Sequence, residues 1–129
     1  MTCPTLNALS VVVAEMAATV AFYRRLGLEF PDDAASSTHT ETRIGGLRLM
    51  FDTRDVITSF MPDWTPPTGG HAMALAVECA CPAAVDACHG DLVDAGHRSI
   101  AEPFDAVWGQ RYAIVADPDG NPVDLYCPL

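Results

Sequence analysis

The chain has 129 residues, half of them hydrophobic, and a formal net charge of −10 with arginine as its only strongly basic residue. This length fits one domain with a real core or two small modules that share one, and no apolar run approaches the roughly 18 residues of a membrane-spanning helix. So acidic a chain is repelled by phosphate backbones, which disfavours nucleic-acid binding. The same charge would attract cationic small molecules through long-range steering, although solubility is the favoured explanation of the charge alone.

The first half of the chain predicts a strand, a helix and three further strands. The first strand covers residues 6–13, and the helix covers residues 16–26 and ends at Gly27. Its apolar positions recur at helical spacing: Met16, Val20, Tyr23 and Leu26. Short strands are predicted near residues 28–30, 38–44 and 47–51, with Gly45-Gly46 as a hairpin turn. The result is a β-α-β-β-β module over about residues 5–60.

The second half repeats that order after a Pro-rich and Gly-rich linker at about residues 61–70. A strand is predicted over residues 71–77, and a helix opens at Pro82 and is capped at Gly96. Four helix positions are expected to face the core: Val85, Cys88, Leu92 and Ala95. Strands near residues 98–101, 110–116 and 122–126 complete a second module over about residues 71–128. We therefore expect a single domain, residues 1–129, built from two modules.

The last hairpin is the most informative segment. Trp108-Gly109 leads into a strand, and the turn Asp117-Pro118-Asp119-Gly120-Asn121 places Asp124 on the strand that follows. This pattern, with residues 21–28 on the first helix, resembles the vicinal-oxygen-chelate superfamily of glyoxalase I, extradiol dioxygenases and bleomycin-resistance proteins. The resemblance covers nearly the whole chain. It implies an α+β fold of two tandem βαβββ modules with cup-shaped sheets, completed between the two chains of a homodimer, and leaves open whether the modules are domain-swapped between those chains.

Metal-dependent members of that superfamily place four ligands on the strands, and the positions that correspond here are Ala8, Leu49, His71 and Asp124. Alanine and leucine bind no metal, and two donors are fewer than a catalytic site ordinarily needs. We therefore predict no metal, no cofactor and no catalytic residue. His71 and Asp124 are expected to line a cavity, and the alternative is an acid–base pair.

Aromatic side chains are then expected to form the ligand site. They lie where superfamily members line their cups: Trp108, Phe51, His39, Tyr112, Trp64 and Phe60. Trp108 is the strongest candidate because a loop on a rigid scaffold often carries binding residues. Ring faces stack on planar ligands, so the ligand site is predicted from these residues with His71 and Asp124.

Several segments also resemble one metal-free group in that superfamily, the mitomycin-resistance proteins of actinomycetes. The matching segments are residues 10–13, 39–41, 48–53, 67–71, 92–96 and 107–115. This resemblance implies sequestration of a planar antibiotic of mitomycin, bleomycin or quinoxaline type, as drug resistance or self-protection. Three alternatives stay open: a metal-dependent lyase, isomerase or dioxygenase; a metal-free isomerase or cyclase acting through His71, Asp124 or Glu41; and a domain that only retains the fold.

The five cysteines are an odd number: Cys3, Cys79, Cys81, Cys88 and Cys127. No secretory signal opens the chain, so a cytoplasmic location with reduced thiols is expected. A zinc site at Cys79 and Cys81 with a histidine is the less favoured alternative, because structural zinc sites space their cysteines more widely.

Overall fold

Each half of the chain builds its own sheet in the computed structural model, which describes residues 3–129. The chain divides into two compact units between Pro66 and Pro67, inside the predicted linker. Met1 and Thr2, part of the segment considered for a secretory signal, lie outside the described residues. Within the described part, no helix combines the length and the apolar character needed to cross a membrane. The fold is α+β, with one sheet in each unit.

The first unit has a three-stranded sheet with a helix after its first strand and another after its last. Its elements are β1 (Ala8–Val13), α1 (Met16–Arg25), a 3-10 turn (Ala34–Ser36), β2 (His39–Ile44), β3 (Leu47–Thr53) and α2 (Arg54–Phe60). The strand order is β1-β3-β2, with β1 parallel and β2 antiparallel to β3. The core lies on the α1 side of this sheet, where the Phe51 ring contacts that of Tyr23 at 5.1 Å between centroids.

The end of α1 follows the sequence prediction closely. Gly27 has a φ of +88°, a left-handed conformation that glycine adopts at little cost. The Leu28 amide donates back to the Tyr23 carbonyl at 3.2 Å, which closes the helix end. The Gly45-Gly46 turn is confirmed as well, with Gly45 at a φ of +59° between β2 and β3.

One prediction for the first unit is wrong, and one helix was not predicted. Residues 28–30 are not a strand, because the Thr42 hydroxyl donates to the Glu29 carbonyl and the Phe30 ring packs on Phe51 at 5.9 Å. The structure also adds α2, whose seven residues are too few for helical periodicity to stand out in the sequence. The first unit is therefore βαββ followed by a helix, with three strands where four were predicted.

The second unit is a complete βαβββ module, as predicted. Its elements are β4 (Leu75–Glu78), α3 (Pro82–Asp94), β5 (Ser99–Ala106), β6 (Gln110–Ala116) and β7 (Pro122–Pro128). The strand order is β4-β7-β6-β5, with β4 parallel to β7 and the other pairs antiparallel. The helix α3 packs on one face of this sheet.

The details of α3 correct part of the predicted core. Val85 and Leu92 are fully buried, whereas Cys88 is half-buried and Ala95 is exposed just after the helix. His89 is buried instead, with its Nε2 2.7 Å from the Ser99 hydroxyl on β5. A hydrogen bond to the neighbouring strand explains how a polar side chain is accommodated in this apolar face.

The limits of β4 and β5 differ from the prediction. β4 begins only at Leu75, so His71 precedes the strand and is exposed. β5 continues to Ala106, well beyond the predicted residue 101, with shifts in its pairing register to β6 between Ser99 and Phe104. Pro103 lies in this interval, and a proline has no N–H to donate to a strand ladder.

The final hairpin is held by Asp117, which is buried in its turn. Its Oδ1 accepts hydrogen bonds from the amides of Asp119 and Asn121, each at 2.9 Å, and its Oδ2 accepts one from the Asn121 side chain at 3.0 Å. Gly120 supplies the positive φ of +85°. This turn fixes the register that pairs Ile114 with Asp124.

Candidate functional site

The second sheet has a face opposite α3 that is rich in aromatic side chains. On β6, Ala113 and Val115 are buried towards α3, so Tyr112 points the other way. The same alternation on β7 leaves Asp124 and Tyr126 on the face with Tyr112. Phe104 on β5 is the register partner of Tyr112. We call this surface the aromatic face: Phe104, Trp108, Tyr112, Asp124 and Tyr126.

The rings of the aromatic face form a connected cluster. Trp108 lies edge-on to Tyr112 at 5.4 Å between centroids and to Phe104 at 6.2 Å. Tyr112 and Tyr126 are stacked at 6.4 Å with 28° between their planes. Trp108 is nevertheless 59% exposed, and its Nε1 donates to the Gln110 side chain at 2.8 Å. A large ring held on two sides and open on a third can accept a planar ligand.

Tyr112 and Asp124 form a hydrogen-bonded pair within the aromatic face. The Tyr112 hydroxyl donates a hydrogen bond to Asp124 Oδ2. Burial, and then this hydrogen bond, raise the pKa of Tyr112 to about 12. The phenol therefore stays protonated at neutral pH and orients the carboxylate of Asp124.

The strand residues of the aromatic face carry acidic groups and no basic one. Glu78 is the register partner of Tyr126 and shares its face, so it adds a second carboxylate to this face. Arg111 is the basic residue of β6, and its guanidinium binds Asp86 of α3 at 2.9 Å and Asp105 at 3.1 Å. That arginine lies on the helix side of the sheet.

The first sheet has a different character on its face opposite α1. His39 Nδ1 lies 2.6 Å from Asp52 Oδ1, and its Nε2 lies 3.6 Å from Glu41 Oε2. Arg48 donates to both carboxylate oxygens of Glu41, at 2.8 and 3.0 Å, and this hydrogen bonding lowers the pKa of Glu41. We call His39, Glu41, Arg48 and Asp52 the charged face.

The structure brings three of the predicted site residues together: Trp108, Tyr112 and Asp124. His39 lies in the other unit, on the charged face. Phe60 is 64% exposed at the end of α2, and Trp64 is half-buried in the loop after it.

Phe51 was expected on the wall of the ligand site, and this placement is wrong. Its side chain is fully buried on the α1 side of the sheet, because its register partner Thr40 and its ring neighbours also face that core. Leu49 is buried on the same side two residues earlier, so it does not occupy a ligand position either.

His71 does not pair with Asp124 through the strand ladder. The residue of β4 beside Asp124 is Ala76, and His71 lies in the loop four residues before β4 begins. The hydrogen-bond partner of Asp124 is Tyr112 instead.

Sequence reasoning missed Phe104 and Tyr126 of the aromatic face, the Gln110 side chain that accepts from Trp108, and Asp52 and Arg48 of the charged face. Tyr126 had a signal, because it lies two residues after Asp124 on a strand and period two places both on one face. Phe104 had none, since its pairing depends on the irregular register of β5.

The residues at the superfamily's metal positions do not fit a metal centre. Ala8 has no donor atom, Leu49 is in the core, and His71 and Asp124 are too few. Within residues 3–129, no group of three or more histidine, cysteine, aspartate or glutamate side chains is arranged to hold a metal ion.

Known proteins share this fold. A crystal structure of a glyoxalase/bleomycin resistance protein/dioxygenase family enzyme from Burkholderia phytofirmans PsJN has a TM-score of 0.82 and 18% identity, covering 95% of this chain and 98% of that one. A glyoxalase-related enzyme from Fulvimarina pelagi has a TM-score of 0.81 and 19% identity over 97% of this chain and 88% of that one. TioX from Micromonospora sp. ML1 has a TM-score of 0.66 and 19% identity over 98% of this chain and all of that one.

At these identities the solved structures show the fold alone, and no curated protein sequence matches the chain. The family model described as the Glyoxalase/Bleomycin resistance protein/Dioxygenase superfamily matches residues 5–125, nearly the whole sequence. The chain therefore belongs to the glyoxalase/bleomycin resistance protein/dioxygenase superfamily.

Proposed function

We propose that this protein binds and sequesters a small planar aromatic compound without catalysis or metal, as a drug-resistance or self-protection protein. The observation that carries the proposal is the aromatic face, on which Trp108 is exposed yet held by Phe104, Tyr112 and Gln110. A ring fixed in this way loses little freedom when a ligand stacks on it, so binding costs less entropy.

Two favourable terms compete with the cost of association. Each ring contact adds about 0.5–1.5 kcal/mol beyond the burial of area. Burying about 300 Å² of a planar ligand at roughly 25 cal/mol per Å² adds several kcal/mol more, and the cost of association is of similar size. The net affinity therefore depends on how little freedom the held rings and the ligand lose on binding.

The class of ligand follows from the sequence resemblance to the mitomycin-resistance proteins. The segments of this chain that resemble those proteins include residues 107–115, which carry Trp108 and Tyr112 of the aromatic face. We therefore propose mitomycin, bleomycin and quinoxaline compounds as the ligands to test. The same resemblance supports a homodimer, which sedimentation of the purified protein would measure.

Tryptophan fluorescence tests the proposal directly. The chain has two tryptophans, Trp64 and Trp108, so Trp64→Phe leaves Trp108 as the sole reporter. Titration of that variant with the three compounds should quench its fluorescence with saturation for at least one of them. Trp108→Phe is the matched variant, in which Trp64 remains and affinity should fall. Absence of quenching and of measurable heat with all three compounds would contradict the proposal.

A metal-free isomerase or cyclase is the second candidate, and the charged face favours it. Asp52 Oδ1 lies 2.6 Å from His39 Nδ1. A carboxylate that accepts the Nδ1 proton fixes the tautomer of a histidine that acts as a base. His39→Gln should then abolish any such conversion while the protein remains folded by circular dichroism. Recovery of every bound compound with its mass and chromatographic behaviour unchanged would argue for sequestration.

A metal-dependent lyase, isomerase or dioxygenase is the third. It is less well supported, because the donor set at the superfamily's metal positions is incomplete. Elemental analysis of protein purified without chelators tests it, since such an enzyme should carry about one metal ion per site.

A further inference from the structure

We propose that the aromatic face selects planar organic cations over neutral and anionic molecules of the same shape. This inference rests on the proposed function and names the charge class of its ligand. It is carried by the arrangement of the Asp124 carboxylate among the rings of the aromatic face.

The first step is the position of the carboxylate. Asp124 is half-buried, and Tyr112 donates a hydrogen bond to its Oδ2. That bond orients the side chain but neutralises no charge, since the donor is a phenol. A phenol is protonated throughout the physiological range, and burial and the Asp124 carboxylate raise the pKa of Tyr112 further, to about 12.

The second step is the charge of the strand residues around Asp124. Glu78 contributes another carboxylate through its register position beside Tyr126. Arg111, the arginine of β6, is held on the opposite side of the sheet by Asp86 and Asp105. The strand residues that share the face with Asp124 therefore leave its charge uncompensated.

The third step is the chemistry of the surrounding rings. The faces of tryptophan and tyrosine attract cations through their quadrupoles, and this attraction grows when water is displaced. A protonated amine on a flat ring system could donate to Asp124 while its ring stacks against Trp108 or Tyr126. A neutral molecule gains only the stacking, and an anion is repelled by Asp124 and Glu78.

Three acridines of nearly equal shape test the inference: 9-aminoacridine as the cation, acridine as the neutral molecule and acridine-9-carboxylate as the anion. Quenching of Trp108 in the Trp64→Phe background should show the cation binding about tenfold tighter than acridine, with the anion weakest. The measurements should be made near neutral pH and at constant ionic strength.

Asp124→Asn should bring the affinity for the cation close to that for acridine, because the amide keeps the shape and an acceptor but not the charge. Asp94→Asn is the matched control: it removes one charge from the exposed end of α3 and should leave the preference unchanged. Glu78→Gln should lower the preference by less than Asp124→Asn.

The outcomes separate this inference from the proposed function. Equal affinities for the three acridines, or a cation preference that Asp124→Asn leaves undiminished, would overturn the charge selection and leave planar binding intact. No binding of any acridine to a folded protein would overturn both.

Discussion

Phe51 illustrates how a single residue type serves two roles in this fold. An aromatic side chain on β3 can face the core or the opposite side of the sheet. Because successive side chains of a strand alternate between the two faces, a shift of one residue changes the face. In the structure it packs against Tyr23 and Phe30, while its chain neighbours Met50 and Asp52 are only half-buried. Stability and ligand binding should therefore respond to different aromatic residues.

Phe51→Ala should lower the free energy of unfolding by about 3–5 kcal/mol, because it leaves a cavity between α1 and the sheet. Phe60→Ala is the matched control, since Phe60 is mostly exposed and its change should stay within about 0.5 kcal/mol. Urea unfolding followed by circular dichroism measures both. A Phe51→Ala protein as stable as the parent would contradict the core assignment.

Tyr112 should be the residue whose ionisation reports on the aromatic face. Its pKa is raised from 10.0 to about 12 by burial and by the Asp124 carboxylate. The folded protein thus favours the protonated phenol, and this contribution to stability is complete below the unfolded pKa of 10.0 and is lost as the pH rises through about 12.

Asp124→Asn should lower the pKa of Tyr112 by removing the carboxylate, while burial keeps part of the shift. An NMR titration of the tyrosine ring carbons measures this, with Tyr112→Phe identifying the resonance. An unchanged pKa in Asp124→Asn would show that the two side chains do not interact in solution.

Asp124 and Tyr112 also show how far the position of a single residue could be predicted from the sequence. Asp124 and Tyr112 could be placed from the sequence, because the turn at Asp117 fixes the register of a regular hairpin. That Asp124 accepts a hydrogen bond from Tyr112 could not be predicted. His71 was the expected neighbour, and its distance depends on where β4 begins, which no local pattern in residues 71–78 specifies.

At the scale of elements, the helices with clear caps were the most predictable parts. Pro82 begins α3 and Gly96 follows its end, and the structure has both features. Short elements without such signals were missed or misplaced, as with α2 and residues 28–30. Their structure depends on contacts with the core, such as those of Ile57 and Phe30.

Two glycines of the α3 region should respond in opposite directions to alanine. Gly90 lies inside the helix with nothing within 4 Å of an added Cβ, so Gly90→Ala should raise the free energy of unfolding by about 1 kcal/mol. Gly96 has a φ of +98°, where an L side chain is strained, so Gly96→Ala should lower it by about 1–2 kcal/mol. Thermal and urea unfolding measure both changes. Equal effects of the two substitutions would contradict an α3 that contains Gly90 and ends before Gly96.

At the scale of the whole molecule, the sequence presents two repeats of the same order, but the structure distinguishes them. The second unit has the full βαβββ topology with an aromatic face, whereas the first has three strands, α2 and a charged face. Apolar periodicity in the two halves is similar, so it predicted equal modules. Besides strand number and α2, the units differ in which side chains occupy the face opposite the helix, and apolar periodicity does not predict that difference.

Net charge is the remaining property of the whole molecule that bears on binding. With a formal charge of −10, the protein should steer a planar cation towards its surface from beyond contact distance. The Debye length falls from about 30 Å at 0.01 M salt to about 3 Å at 1 M. The association rate of 9-aminoacridine, followed by stopped-flow quenching of Trp108, should therefore fall steeply over that range, while its dissociation rate changes less. Acridine is the matched control, and its association rate should be nearly independent of salt. A cation whose association rate does not change with salt would show that the net charge contributes nothing to its capture, and that any preference arises from Asp124 and its neighbouring rings alone.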